Sequence, residues 1–162
     1  MTALRCTQKL LKAMKVEPGA PSVPGNNALG DWSLNLLHTR PKLVVAMNEH
    51  DRFALVLPAA PFATLPQRFV DALFAQLLML GISPDVARNE CEAMQPLTIT
   101  ATTLYPNRLS LQANLKDYAW LVGIMSERGE SLVKINARLM EHIVGINKQY
   151  EFPGKLVLGR LS

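Results

Sequence analysis

The residues best equipped for chemistry in this chain lie together at positions 48–52, which read NEHDR between two apolar runs. A histidine beside two carboxylates can hold a metal ion or transfer a proton. The same residue types also suit a tight reversal of the chain, because Asn and Asp bind turn backbone. Adjacent side chains in a turn point outward in different directions, and no HExxH-like spacing places two ligands on one helix face. The pattern therefore favours a structural hairpin that holds no metal ion.

Elsewhere the sequence contains no familiar catalytic pattern. No nucleophile lies at a recognisable spacing from a general base, and no glycine-rich phosphate loop or metal-ligand spacing appears. Cys6 and Cys91 are too few for a disulfide framework or a CxxC site, and each is predicted to be a small buried side chain. The sequence thus predicts no cofactor, assigns no catalytic residue, and leaves open whether the protein is an enzyme.

Length and composition indicate one globular domain over residues 1–162. The chain is 49% hydrophobic and 19% charged, and 162 residues are enough to bury a core without disulfides. No apolar tract reaches the roughly 20 residues that cross a bilayer. The first residues, MTALRCTQKLLKAMK, mix positive charges with apolar positions and do not read as a signal peptide. We therefore expect a reduced, cytoplasmic protein that does not bind membranes.

The net charge of +4 belongs to the first 16 residues, and the rest of the chain is neutral. A helix from Gln8 to Lys15 would carry an apolar stripe on one side and its lysines on the other. Such a basic face is either simply solvated or binds phosphate groups. The candidate nucleic-acid contacts are Arg5, Lys9, Lys12, Lys15, Arg40 and Lys42, with Arg52 as a further member.

The chain predicts strands first and helices later. Residues 16–30 contain three prolines and three glycines, which indicates a flexible loop. Three short strand-like runs follow over residues 31–57, joined by TRPK and NEHDR, so an antiparallel meander is the economical arrangement. Helical spacing covers 66–81, 83–94, 111–127 and 131–146, with Ser83, Ser110 and Gly81 as caps. PLTITATT at 96–103 reads as a further strand, and residues 151–162 as an edge strand or a loose arm.

These elements predict an α+β fold. An antiparallel β-meander with one or more additional strands is covered by four or five helices, which come mainly from the C-terminal half. The run YAWLVGIM at 118–125 is apolar in every direction of its helix. It is either buried inside the monomer or shared in a homodimer or another protein complex. The candidate interface residues are Tyr118, Trp120, Met125 and Met140, since aromatic and methionine side chains are enriched in interface cores.

Three motifs together resemble an uncharacterised family of small bacterial domains of unknown function. Its members begin with RCTKKLL or close to it, continue with W-x-x-N-L, and carry a hairpin of the form MN-x-x-T-R-[YF]. The resemblance covers residues 4–125, and Asp51 departs from it by replacing the threonine. The positions that fit are Arg5, Cys6, Thr7, Lys9, Leu10, Leu11, Trp32, Asn35, Leu36, Met47, Asn48, Arg52 and Phe53, with Asn114 as a weaker match.

The resemblance implies a fold and a polar set rather than a reaction. The candidate polar site consists of Thr7, Lys9, Asn35, Asn48, Arg52 and Asn114, which could converge at one end of the sheet. Two interpretations stay open. In the structural one, the asparagines bind neighbouring backbone and Arg52 pairs with Glu49 or Asp51. In the functional one, the set lines a ligand or phosphate pocket.

Two functions follow from the sequence as hypotheses. The first is a protein-interaction or self-association module that uses its apolar late helices. The second is a protein that acts on nucleic acid, either a small metal-independent nuclease or an antitoxin-like binder that uses the basic N-terminal segment. The second requires its basic side chains to lie on one surface.

Overall fold

A computed structural model describes residues 1–20, 26–102 and 108–162 of the chain, with Arg108 described by its backbone alone. The strands are β1 Thr2–Cys6, β2 Trp32–Leu37, β3 Leu43–Asn48, β4 Ala54–Pro58, β5 Leu97–Ala101, β6 Val144–Ile146 and β7 Gln149–Glu151. The helices are α1 Gln8–Met14, α2 Leu65–Leu80, α3 Pro84–Ala93, α4 Arg108–Glu127, α5 Leu132–Met140 and α6 Pro153–Leu161.

The central sheet has five strands in the order β4-β3-β2-β1-β5. Strands β2, β3 and β4 form an antiparallel meander, which confirms the arrangement predicted over residues 31–57. Strand β1 lies between β2 and β5 and runs parallel to both. The strand predicted from PLTITATT is present as β5, although Thr103 lies outside the described residues. The first strand of the chain is therefore a central strand, and the residues that follow it start from the middle of the sheet.

Helices cover both faces of this sheet. Successive side chains along a strand point to opposite faces, and here both faces carry apolar side chains that need cover. On one face, Trp32 and Leu34 pack against α2, and the Trp32 and Phe69 rings meet edge to face at 5.1 Å. The same face also receives buried side chains of α1, α3 and α6. On the other face, Val45 and Met47 pack against α4 and α5. The α+β class predicted from the sequence is confirmed.

The caps predicted for α2 and α3 are confirmed. Gly81 ends α2 in the left-handed conformation, with φ of 105°, which a residue with a side chain adopts only at a cost. The Ser83 hydroxyl accepts a hydrogen bond from the backbone N–H of Val86, and Pro84 occupies the first position of α3.

Two predicted helix boundaries are wrong. Helix α4 begins at Arg108, so Ser110 lies inside its first turn rather than at its cap. Helix α5 ends at Met140 instead of continuing to residue 146. Beyond it, Asn147 and Lys148 both have positive φ, which is the backbone of a two-residue hairpin turn, and this turn pairs β6 with β7.

The C-terminal segment is a helix and not the edge strand or loose arm predicted for residues 151–162. Pro153 occupies the first turn of α6, where its fixed φ and missing N–H do no harm. Val157 and Leu161 are four residues apart, so they lie on one helix face, and both are buried in the core. Two glycines within nine residues concealed this pattern in the sequence.

The loop predicted at 16–30 falls partly on residues 21–25, which lie outside the described residues. Its described ends are held by hydrogen bonds. The Glu90 carboxylate of α3 accepts hydrogen bonds from the Asn27 side chain at 2.7 Å and from the Leu29 N–H at 3.0 Å. Gly19 donates its N–H to the Ile99 carbonyl at 2.8 Å. Among the described residues, no helix combines the length and the apolar character needed to cross a membrane.

Asn136 of α5 joins that helix to the edge strand β4. Its side chain accepts a hydrogen bond from the Val56 N–H at 2.8 Å and donates one to the Val56 carbonyl at 3.0 Å. The Asn136 side chain thus makes the two backbone hydrogen bonds to Val56 that a neighbouring strand would make. Val56 is buried, so these backbone groups need a partner within the protein.

Replacing Asn136 with alanine should lower the free energy of unfolding by about 2 kcal/mol, because a buried N–H and a buried carbonyl lose their partners. Chemical denaturation measures this loss. The exposed Lys134→Ala in the same helix is the control and should change stability by less than about 0.5 kcal/mol. Equal effects of the two substitutions would contradict the role given to Asn136.

Candidate functional site

Two clefts of about 490 Å³ each lie side by side along one flank of α4. Gln112, Lys116, Ala119 and Gly123 are spaced by three or four residues, so they share that flank of the helix. The first two line the cleft nearer the N-terminus of α4, which we call the proximal cleft. The last two line the cleft nearer its C-terminus, which we call the distal cleft. We call the pair of clefts the α4 groove.

The floor of the proximal cleft is formed by Thr7 and Asn35, which were both predicted as members of a polar site. Thr7 follows β1 and Asn35 lies in the adjacent β2, and the Thr7 hydroxyl donates to the Asn35 side-chain oxygen at 3.0 Å. The Asn35 amide nitrogen makes no hydrogen bond to any described residue, and it therefore remains available to a ligand. The parallel pairing of β1 with β2 is what brings the two side chains together.

The distal cleft carries the basic side chains of the groove. It is lined by Lys9 of α1 and by Leu37, His38 and Arg40 at the end of β2 and in the loop after it. Lys116 adds a third cation from the proximal cleft, and Glu127 is the one acidic side chain among the described residues that line the two clefts. No ion pair joins Lys9, Arg40 or Lys116 to another described residue, so their charges face the solvent.

The other predicted nucleic-acid contacts divide into two groups. Lys12 and Lys15 are exposed along α1 beyond Lys9, and Lys42 is exposed just before β3. Arg5 does not belong with them, because its side chain is 12% exposed and contacts two carboxylates. Its charge is already compensated inside the protein.

A buried charged cluster surrounds Arg5 on the sheet face that carries the groove. One guanidinium nitrogen donates to Asp31 at 3.1 Å and to the Glu49 carboxylate. The Ser33 hydroxyl donates to Glu49 at 3.1 Å, and the backbone N–H of Ala3 donates to Asp31 at 2.8 Å. Burial raises the pKa of Glu49, and Arg5 and Ser33 oppose part of that increase. The cluster joins β1, β2 and the β3–β4 hairpin through their side chains.

The NEHDR stretch forms the predicted hairpin turn. The Asn48 side chain accepts hydrogen bonds from the backbone N–H groups of His50 at 3.1 Å and Asp51 at 2.7 Å, which is an Asx turn. Its amide nitrogen also donates to the Leu29 carbonyl at 2.6 Å. The prediction that Asn48 binds neighbouring backbone is confirmed, and all its side-chain hydrogen-bonding atoms are used within the fold.

The predicted outward direction of the other turn side chains is wrong for the two acids. Glu49 enters the Arg5 cluster, and the buried Asp51 carboxylate accepts two hydrogen bonds from Arg160 of α6, at 2.8 and 2.9 Å. The pairing of these carboxylates with Arg52 was therefore the wrong expectation. Arg52 donates to the Glu49 backbone carbonyl and to the Ser110 hydroxyl of α4, the latter at 3.4 Å. His50 alone is exposed, and no described group of three His, Cys, Asp or Glu residues could hold a metal ion.

The predicted polar site therefore converges only in part. Thr7 and Asn35 meet in the groove, and Lys9 lies in the adjoining cleft. Asn48 is committed to the hairpin backbone. Asn114 points away from the groove and donates to the Gly145 carbonyl at 3.4 Å, which holds the β6–β7 hairpin against α4.

Three of the four candidate interface residues lie inside the monomer. Tyr118 is fully buried and donates its hydroxyl to the Arg52 carbonyl at 2.7 Å. Met125 is buried between α4 and the sheet, and Met140 packs against the opposite core. For Tyr118 and Met125 the structure follows the alternative of burial within the monomer, because both sheet faces offer cover, and Met140 is partly buried. Trp120 alone among the four is open to solvent, with 70% of its surface exposed.

Both cysteines are buried, as predicted. Burial raises the pKa of Cys6 to about 12. The pKa of Cys91 rises to about 11 through burial and the nearby carboxylates, of which Glu90 contributes most. At neutral pH both are thiols rather than thiolates, and the thiolate is the nucleophilic form.

Asp31, Ser33 and Glu90 belong to buried polar networks that the sequence did not predict. Asp31 and Ser33 flank Trp32 in a strand motif, and this position gave no sign of a charged partner on β1. Glu90 lies 63 residues from Asn27, which it binds. One feature of the sequence could have indicated Glu90. An acid on the inner face of an amphipathic helix needs a hydrogen-bonding partner inside the fold.

Comparison with known families agrees with the resemblance seen in the sequence. The chain belongs to the family described as Domain of unknown function (DUF6933), whose model matches residues 3–156. No curated protein and no solved structure matches the chain.

Replacing His50 with alanine should change the free energy of unfolding by less than about 0.5 kcal/mol, because the side chain is exposed. Metal content of the purified protein, measured by mass spectrometry, should also stay the same. Asn48→Ala provides the contrast and should be strongly destabilising, since it removes three hydrogen bonds, two of which are buried. Zinc that is present in equal amounts to protein and disappears in the His50 variant would overturn the hairpin assignment.

Glu49→Gln should alter how stability depends on pH. A carboxyl group whose pKa is higher in the folded than in the unfolded protein stabilises the fold most below its unfolded pKa. That contribution is lost as the pH rises through the folded value. The stability of the unmodified protein relative to Glu49→Gln should therefore fall as the pH rises above the ordinary glutamate pKa of about 4. Denaturation at several pH values measures this difference.

The exposed Glu141→Gln, at a glutamate outside the Arg5 cluster, is the control for this series. A Glu49 difference that grows with pH would mean that attraction to Arg5 outweighs the loss of hydration.

Proposed function

We propose that this protein is a nucleic-acid-binding module that holds a phosphate backbone along the α4 groove. The observation that carries the proposal is the position of Lys9, Arg40 and Lys116, which three separate elements bring to one groove. These side chains are far apart in the sequence, and none is paired with a described acid. A row of uncompensated cations favours a polyanion.

The dimensions of the groove suit an extended polymer better than a small anion. Helix α4 has 20 residues and is therefore about 30 Å long. The two clefts occupy most of its length, and Lys12 and Lys15 are exposed farther along and at the C-cap of α1. Thr7 and Asn35 supply polar groups on the floor, where hydroxyl and amide side chains position phosphates and sugars.

The proposal concerns binding and includes no catalytic step. Among the basic side chains predicted from the sequence, it uses Lys9, Lys12, Lys15 and Arg40 and leaves out Arg5, which is neutralised within the fold. A bacterial origin and a cytoplasmic location belong to the same proposal, since nucleic acid is abundant there.

Self-association is the second candidate function, and one observation favours it. Leu109 and Trp120 are 83% and 70% exposed and lie on the same outward stripe of α4. Large exposed apolar side chains on one face are typical of interfaces. Light scattering at micromolar concentration distinguishes a monomer from a homodimer that uses this stripe.

Replacing Lys9 or Arg40 with glutamine should weaken binding to a labelled 20-nucleotide oligonucleotide and reduce its salt dependence. Each lost phosphate contact lowers the slope of log K against log salt concentration by about 1. Fluorescence anisotropy at a series of salt concentrations measures both quantities. The double variant should show the sum of the two changes in slope, because the side chains lie on different elements.

Lys134→Gln is the matched control, because this exposed lysine lies on α5 and not in the groove. Its slope should equal that of the unmodified protein. The proposal fails if the unmodified protein does not bind the oligonucleotide at low salt, or if the control loses as much affinity as the groove variants.

A further inference from the structure

We infer that Trp120 is a stacking platform for an unpaired base, so that the α4 groove selects single-stranded over double-stranded nucleic acid. This inference rests on the proposed function and adds the class of ligand. The two tryptophans of the chain lie in different environments. Trp32 is completely buried against Phe69, whereas 70% of Trp120 is exposed.

Trp120 lies at the rim of the groove. It follows Lys116 by four residues and precedes Gly123 by three, and both of these residues line the clefts. Side chains four residues apart on a helix are neighbours, and long helical side chains lean toward the helix N-terminus. Trp120 and Lys116 are therefore neighbours on the surface of α4, where a phosphate held by the lysine would bring its base within reach of the indole.

Gly123 keeps the space next to this position open. A Cβ atom at Gly123 would meet no atom within 4 Å, and the backbone there has no need for a positive φ. Neither packing nor backbone conformation therefore requires glycine at position 123. Because Gly123 has no side chain, it leaves open space next to Trp120 on the helix surface. A flat ligand gains access to the ring from this side.

An exposed indole beside lysines fits the chemistry of single-strand binding. Cations follow the phosphate backbone, and aromatic rings stack on bases that are free of a partner strand. In a duplex, each base is already stacked and paired, so no base face is available to Trp120. Polyphosphate carries the charge without the bases. Comparing these three probes separates stacking from charge attraction.

A protein partner is the competing occupant, since exposed tryptophans also occur at the centres of interfaces. The charges favour nucleic acid. The described residues that line the two clefts include Lys9, Arg40 and Lys116 against the single acid Glu127, whereas interface cores are depleted in charged residues and in lysine especially.

The test uses the full chain and the natural fluorescence of Trp120. Because Trp32 is buried, quenching by added ligand reports mainly on Trp120. The probes are a 20-nucleotide oligothymidine, a duplex of the same length, and inorganic polyphosphate of similar charge. We expect oligothymidine to quench the fluorescence and to bind roughly tenfold more tightly than polyphosphate.

Variants then identify the source of the preference. Trp120→Ala and Trp120→Leu should each reduce oligothymidine affinity roughly tenfold, measured by anisotropy, and leave polyphosphate affinity unchanged. Trp120→Phe should retain most of the preference because it keeps an aromatic ring. Val133→Ala, which truncates another exposed apolar side chain, should have no effect.

The outcomes separate this inference from the function on which it rests. If the three probes bind equally well and Trp120→Ala changes none of them, the stacking role is overturned and the nucleic-acid proposal stands. If the unmodified protein binds none of the probes, both are overturned. If light scattering without ligand shows a dimer that Trp120→Ala dissociates, Trp120 belongs to an interface between copies of the chain and the inference is wrong.

Discussion

The structure depends on the position of β1, which lies in the middle of the sheet and pairs in parallel with β2 and β5. Both faces of a central strand are covered, so alternate side chains enter two different environments. Leu4 and Cys6 enter the apolar core, whereas Arg5 and Thr7 face α4. A charged side chain in such a place must be compensated, because an unpaired buried charge costs several kcal/mol. Asp31 and Glu49 supply that compensation.

The same constraint explains how the β3–β4 hairpin is held. Its two carboxylates are anchored on opposite sides of the sheet, Glu49 by Arg5 of the first strand and Asp51 by Arg160 of the last helix. Both ends of the chain therefore meet at one turn. Buried ion pairs add little stability compared with apolar replacements, but removing one partner is strongly destabilising. The network thus specifies where the hairpin lies more than it stabilises the fold.

Local patterns predicted the elements that local rules control. The meander followed from alternating residues and short links, and the ends of α2 and α3 followed from Gly81 and Ser83. Helix α6 was missed because tertiary burial of Val157 and Leu161 outweighs its two glycines. The ion pair between Asp51 and Arg160 joins residues 109 positions apart, and spacing in sequence carries no information about such a contact. For the candidate site, Thr7, Lys9 and Asn35 were predicted, but the flank of α4 that completes the groove was not.

The division of the N-terminal charge follows from the same geometry. Four cations within 16 residues read in the sequence as one basic segment. The change from strand to helix at Thr7 separates them, because Arg5 belongs to a buried strand, whereas Lys9 and Lys12 lie on the solvated side of α1 and Lys15 is its C-cap. The charge of Arg5 is paired with Asp31 and Glu49 inside the protein, whereas Lys9 lines the distal cleft of the groove. The boundary between β1 and α1 thus decides which of these positive charges are available to a partner. The net charge of the first 16 residues overestimates that number, because it includes Arg5. For that reason Lys9, Arg40 and Lys116, whose charges the described fold leaves uncompensated, favour a polyanion more than the basic segment as a whole does.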